Sequence, residues 1–179
     1  FGALTPSVAY IVFDTETTGL SHEMGDRVIE IAAVRVRNGE IVDQFQSLIN
    51  PGRPISPEAA RINGITQDML VDAPSSGVVI PQFLDFIGSD TLVAHNAEFD
   101  MAFLRKEMEL LALDTSRLPP YLCTVELARR ELPELDRHNL GRLIQHFGIV
   151  VDQRHRALDD VMATAQVFLN LHQEDPTLF

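Results

Sequence analysis

Two alternating apolar segments flank Asn38-Gly39 in "RVIEIAAVRVRNGEIVDQFQSLI", residues 27–49, and no other feature constrains the fold of this chain as strongly. A two-residue hairpin turn of the favoured type needs positive φ at both positions, which Asn and Gly tolerate, so the two segments are predicted to pair antiparallel. A third apolar run, "VAYIVFD" at residues 8–14, ends near the turn-like "TTG" and reads as a preceding strand. The first three strands are thus expected to form an antiparallel meander.

Between Asn50 and Pro74 the chain is punctuated by Pro51, Gly52, Pro54, Pro57, Gly64 and Pro74, which predicts a long structured loop with short helical pieces near 57–62 and 67–70. Helical periodicity resumes over 76–88, a strand fits "TLVAH" at 91–95, and a helix fits 98–112 with Phe99, Phe103, Met108 and Leu111 partly on one side. Further helices are predicted at about 124–132, at 139–147 with Asn139 as N-cap, and at 157–172. Strands first, then strands alternating with helices, predict an α/β fold with a mixed sheet flanked by helices. At 179 residues, 45% hydrophobic and 22% charged, the chain has the size and composition of one globular domain, with a core over about 8–171 and a tail at 172–179.

The balance of 26 acidic against 14 basic residues bears on partners. An acidic surface repels nucleic acid at long range, so a polynucleotide would have to be held locally by metal ions, backbone amides and a few arginines. Cys123 is the only cysteine, which excludes an internal disulfide and fits a small buried hydrophobe. No apolar run approaches the ~18–20 residues of a membrane span, and "FGALTPSVAY" lacks the basic and apolar regions of a signal peptide, so a cytoplasmic location without a membrane partner is expected. Neither a twelve-residue calcium loop, a Gly-x-Ser-x-Gly elbow nor a P-loop is present.

Acidic residues at three places carry the functional signal. Asp14 and Glu16 lie two apart at the end of the first strand, so they project to the same side if the strand reaches Glu16. Such a pair is either a solvated strand end or part of a divalent-metal site, in which a hard cation turns carboxylate repulsion into binding. In "VAHNAEFD", residues 93–100, a strand gives way to a helix with Asp100 in its first turn, where the helix dipole favours an anion with or without a metal. In "HRALDD", residues 155–160, His155 precedes Asp159 and Asp160 at the head of the last helix.

In that order and spacing, "DTETTG", "HNAEFD" and "HRALDD" resemble the three motifs of the DnaQ-like 3′→5′ exonucleases of the DEDDh type, over about residues 8–171. The resemblance implies a ribonuclease H-like fold with a five-stranded sheet. It implies Asp14, Glu16, Asp100 and Asp160 as metal-binding carboxylates, His155 as general base, and two divalent ions, Mg²⁺ or Mn²⁺, as cofactors. The family spacing selects Asp160 and leaves Asp159 as a helix-start acid. The chemistry agrees, because phosphodiester hydrolysis needs a hydroxide near neutral pH and neutralisation of the leaving 3′-oxygen. A histidine, with an unperturbed pKa of about 6.5, suits proton removal there.

By the same resemblance, backbone amides around Thr15–Thr17 receive the terminal 3′-hydroxyl, Leu20 and Phe99 line the pocket of the last base, and Asn96 lies near the chain end. For Leu20 and Phe99 plain core packing is the alternative. Asn63, in "RINGI", stands where some proofreading subunits have a histidine. "DTETTGL" looks more like polymerase-associated exonucleases than RNA-trimming relatives, so the expected activity is release of nucleoside 5′-monophosphates from DNA 3′ ends, in proofreading or repair, with a DNA polymerase as partner. An exoribonuclease and a catalytically spent polymerase-assembly module are the alternatives, and five intact motif residues weigh against the latter. The tail "QEDPTLF", residues 173–179, resembles sliding-clamp-binding peptides with Leu178 and Phe179 as anchors, although Pro176 stands where an aliphatic residue is usual.

Overall fold

A computed structural model describes residues 8–152 and 156–174. The meander forms as expected from β1 (Ala9–Thr17), β2 (Val28–Arg37) and β3 (Glu40–Leu48). At its turn Asn38 and Gly39 have φ of 52° and 78°, the paired positive values that a two-residue hairpin requires. The loop after β3 carries α1 (Pro57–Asn63) and α2 (Gln67–Leu70), followed by α3 (Ser76–Ile87), β4 (Thr91–Ala94) and α4 (Ala97–Leu110). Then come a 3₁₀ turn (Thr115–Arg117), β5 (Tyr121–Cys123), α5 (Thr124–Glu131), α6 (Leu140–Phe147) and α7 (Ala157–Glu174).

The five strands form one mixed sheet in the order β3-β2-β1-β4-β5. β1 pairs antiparallel with β2 and parallel with β4, which pairs parallel with β5. β1 is therefore central, and its C-terminal end opens between strands running both ways. Strand alternation sends Ile11 and Phe13 to one face, where they pack with Val79, Ile80 and Phe83 of α3 and Met101 and Leu104 of α4. Val12 and, from β2, Ala32 and Val34 point to the other face, against Val161, Ala165 and Phe168 of α7 and Leu143 of α6. Each fully buried aliphatic or aromatic side chain contributes roughly 1.5–3 kcal/mol, so the sheet is held from both sides.

α4 differs from its expected stripe. Its buried residues are Ala97, Asp100, Met101, Phe103, Leu104, Glu107 and Met108, whereas Phe99 and Leu111 are only partly buried. Two acids thus share the core-facing side of this helix, and each has a partner there. Glu107 is paired with Arg27 at 2.6 Å. Cys123 is half-buried and its Sγ accepts the Ala97 N–H at 3.4 Å. No helix among the described residues is long and apolar enough to cross a membrane. Leu178 and Phe179, the expected clamp anchors, lie outside the described residues.

Candidate active site

β1 extends to Thr17, so Asp14 and Glu16 leave it on the side facing α7. A register shift between Glu16 and Thr17 ends the regular ladder just there, a common device for aiming side chains at a strand end. From α7, Asp160 in the first turn completes the group: Asp14, Glu16 and Asp160 each offer a carboxylate oxygen, and these oxygens lie within 4.8 Å of one another.

Asp100 reaches the same strand end from the other layer. Its Oδ1 accepts both the Thr15 N–H at 3.2 Å and the Thr15 hydroxyl at 2.5 Å. With its Oδ1 turned to Thr15, this buried carboxylate stands beside the three-acid group without being one of it. The Thr15 amide, expected among those receiving a 3′-hydroxyl, donates to Asp100 in this structure. Thr17 donates its hydroxyl to the Gly19 carbonyl at 2.6 Å and closes the start of the following loop.

The electrostatics of the cluster are those of like charges in a confined space. Burial, then the carboxylates of Asp100, Glu16 and Asp160, hold Asp14 well above the usual carboxylate range. Burial, followed by Asp160, Glu30 and Asp100, raises Glu16 to about 8. Asp100 is raised to about 7 by burial, which outweighs the opposing hydrogen bonds from Thr15. Asp14 Oδ2 is buried, and among the described residues no donor reaches it. Half-buried Asp14 and Glu16, whose pKa values are raised, and buried Asp160 bring carboxylate oxygens within 4.8 Å of one another, a donor set that suits a hard divalent cation.

Beside Glu16 opens a cleft of about 490 Å³ lined by Thr15, Thr17, Leu20, Ile62, Asn63 and Phe99, among others. Leu20 is 83% exposed, so it is not core, and Phe99 stacks on Phe103 with ring centroids 4.9 Å apart. The loop carrying Leu20 is braced by Asp26, which accepts the Thr18 hydroxyl at 2.8 Å and the Ser21 N–H at 3.1 Å. Gly19 is required by that brace, since a Cβ there would lie 2.4 Å from Asp26 Oδ2. The opposite wall is α1, capped by Ser56, whose own N–H is donated to the Thr18 carbonyl at 3.1 Å. Asn63 ends that helix, with its Oδ1 accepting the Ile65 N–H.

Asn96 does not join this cleft. It is exposed, adopts the left-handed conformation at the start of α4 (φ 67°), and lines a separate cleft with His95, Cys123 and Arg129. His155 lies outside the described residues. Glu30 and Arg156 were not anticipated. Glu30 is fully buried on β2 directly opposite Glu16, and its carboxylate binds the Arg156 guanidinium. The signal was present as one acid inside the otherwise apolar run of residues 28–34.

The profile of the RNase T family, described as exonuclease, matches residues 11–168. Over 162 residues the chain is 46% identical to the DNA polymerase III PolC-type protein of Bacillus subtilis (strain 168), an alignment covering 90% of this chain and 11% of that protein. The chain thus spans little more than a tenth of the curated relatives it matches. Exonuclease X, solved in complex with 5′ overhanging duplex DNA, is 34% identical with a TM-score of 0.75 over 93% of each chain. The nuclease domain of 3′hExo, a DEDDh family member solved bound to rAMP, shares the fold at 22% identity, with a TM-score of 0.80 over 97% of this chain and 96% of that one.

Proposed function

Because this chain belongs to the 3′–5′ exonuclease family, and with it to the ribonuclease H-like fold expected from its motifs, we propose that it removes nucleotides from the 3′ end of DNA, preferably single-stranded or frayed, as the proofreading domain of a DNA polymerase chain. The observation that carries this reading is the group of Asp14, Glu16 and Asp160 within 4.8 Å, with Glu16 also lining the cleft of Leu20 and Phe99. The match to a PolC-type polymerase and to an exonuclease solved with DNA supports DNA over RNA.

In this reading Asp14, Glu16 and Asp160, with Asp100 beside them, would hold two divalent ions, Mg²⁺ or Mn²⁺. When bound, such ions lower the pKa of water and offset charge on the leaving oxygen. His155 accepts the proton of the attacking water. The water oxygen bonds to phosphorus, the P–O3′ bond breaks, and the products are a nucleoside 5′-monophosphate and a chain one nucleotide shorter with a new 3′-hydroxyl. Leu20 and Phe99 grip the last base, and Thr17 shapes the turn beneath it. Asn96 contacts the strand from the neighbouring cleft. An acidic surface restricts this grip to the chain end, since the net charge of −12 disfavours long contact with phosphates.

The test is a gel assay of 5′-labelled single-stranded DNA and RNA of one sequence with Mn²⁺, Mg²⁺ or chelator, beside Asp160→Ala. A metal-dependent ladder on DNA, lost in the variant, is expected. Faster decay of RNA would move the substrate to RNA ends, and intact strands under every metal would end the nuclease reading.

A further inference from the structure

Glu30 accepts three hydrogen bonds from the start of α7. Arg156 donates from Nε to Oε1 at 3.1 Å and from Nη2 to Oε2 at 2.9 Å, and the Ala157 N–H donates to Oε1 at 3.0 Å. Arg156 in turn supplies the carbonyl that accepts the Asp160 N–H at 3.0 Å, which makes it the residue from which the helix starts. A strand side chain 126 residues earlier thus caps α7 from outside, both through the backbone and through the capping residue's own guanidinium.

The placement of this pair is more telling than its strength. A buried carboxylate–guanidinium pair is a poor source of stability, because desolvation offsets most of the attraction and apolar replacements of like volume often do as well. It does supply direction, since two parallel bonds and a third to the backbone fix the helix start along and around its axis. Glu30 faces Glu16 across the β1–β2 ladder, and Asp160 follows Ala157 by three residues. One side chain therefore relates the strand that carries two acids of the cluster to the helix that carries the third. Arg156 also offsets the charge of Glu30, which would otherwise add to the repulsion at Glu16.

We propose that Glu30 and Arg156 are positioning residues for the nuclease site, a paired brace that sets Asp160 in register with Asp14 and Glu16. This rests on the nuclease reading above. Partners of metal-binding groups typically change metal affinity or activity 10–100-fold when removed, and displacement of a reacting group by about 1 Å has effects of similar size.

The experiment compares Glu30→Gln, Arg156→Lys, Arg156→Met and the double variant Glu30→Gln/Arg156→Met with the parent chain. It measures kcat and KM on single-stranded DNA, Mn²⁺ affinity by calorimetry, and Tm. The single variants should lower kcat about 10–100-fold, change KM less than about threefold and weaken Mn²⁺ binding about tenfold. The double variant, with no unpaired buried charge, should regain most of the lost Tm without regaining kcat or Mn²⁺ affinity. Recovery of kcat together with Tm would make the pair merely structural and overturn the proposal, as would unchanged Mn²⁺ affinity in all variants. Arg156→Lys, the mildest change, serves if Glu30→Gln fails to fold. A parent chain that leaves DNA intact would defeat the nuclease reading instead, and the Mn²⁺ titrations would still decide the brace.

Discussion

Thr15 binds Asp100 twice, through its amide and its hydroxyl, and both bonds fall on the same carboxylate oxygen. The residue between Asp14 and Glu16 thereby ties β1 to α4, and the Asp100 carboxylate cannot turn away from the strand end. Thr15→Val keeps the branched shape and the amide but loses the hydroxyl. It should lower kcat on DNA about tenfold, within the range seen for partners of metal-site carboxylates, while Thr15→Ser stays near the parent. Equal loss in both variants would point to packing as the cause.

Without metal, stability should fall as pH rises. Glu16 titrates near 8 and Asp100 near 7 in the folded chain, against ordinary values of 4.5 and 3.8. Between those limits the native state holds more protons than the unfolded one, so ΔG of unfolding declines with pH, by at most about 1.4 kcal/mol per pH unit for each group. The stabilisation is complete below about pH 4 and is lost as pH passes 7 to 8. Thermal melts in chelator from pH 5 to 8 should show a declining Tm, and saturating Mg²⁺ should flatten the decline by binding the deprotonated acids.

Asp14→Asn should separate stability from function. Removing one of several mutually repelling acids is expected to raise the metal-free Tm at pH 8 by a few degrees, where about 1 kcal/mol corresponds to roughly 2–4 °C for a domain of this size. The same change should abolish both the Mg²⁺-induced rise in Tm and the activity. His155→Ala makes the contrast: kcat should drop about 10²–10⁴-fold while the Mg²⁺ response persists. Calorimetry beside the gel assay checks both.

Leu20 and Phe99 should part company when truncated. Leu20 is 83% exposed, so Leu20→Ala should leave Tm unchanged within about 0.5 kcal/mol of stability and raise KM for DNA several-fold. Phe99 packs on Phe103, so Phe99→Ala should raise KM and lower Tm together. Steady-state kinetics that leave KM unaltered in Leu20→Ala would remove it from the substrate contacts.

Local chemistry was the readable part of this sequence. Asn38-Gly39 announces its turn because few other pairs accept two positive φ values. Strand and helix ends place the acids of β1 and α7, but it was the resemblance to three exonuclease motifs that singled them out and chose Asp160 over Asp159; Asn139 does cap α6. β5 escaped notice as three half-buried residues after Pro119-Pro120, too short for any periodicity. What could not be read were partners far apart in the chain. Thr15 and Asp100 are separated by 85 residues, and Glu30 and Arg156 by 126, so no local pattern links them. The division of Asn96 and Phe99 between two clefts likewise depends on how α4 leaves β4, and not on their spacing.

The carboxylates come from three elements in different layers, and the last of them arrives with α7. A chain leaving the ribosome at about 5–20 residues per second therefore completes the meander and α4 well before Asp160 can be seated. No nascent intermediate short of that docking carries the full acid set. The order of synthesis thus withholds the assembled acid cluster until the fold has closed.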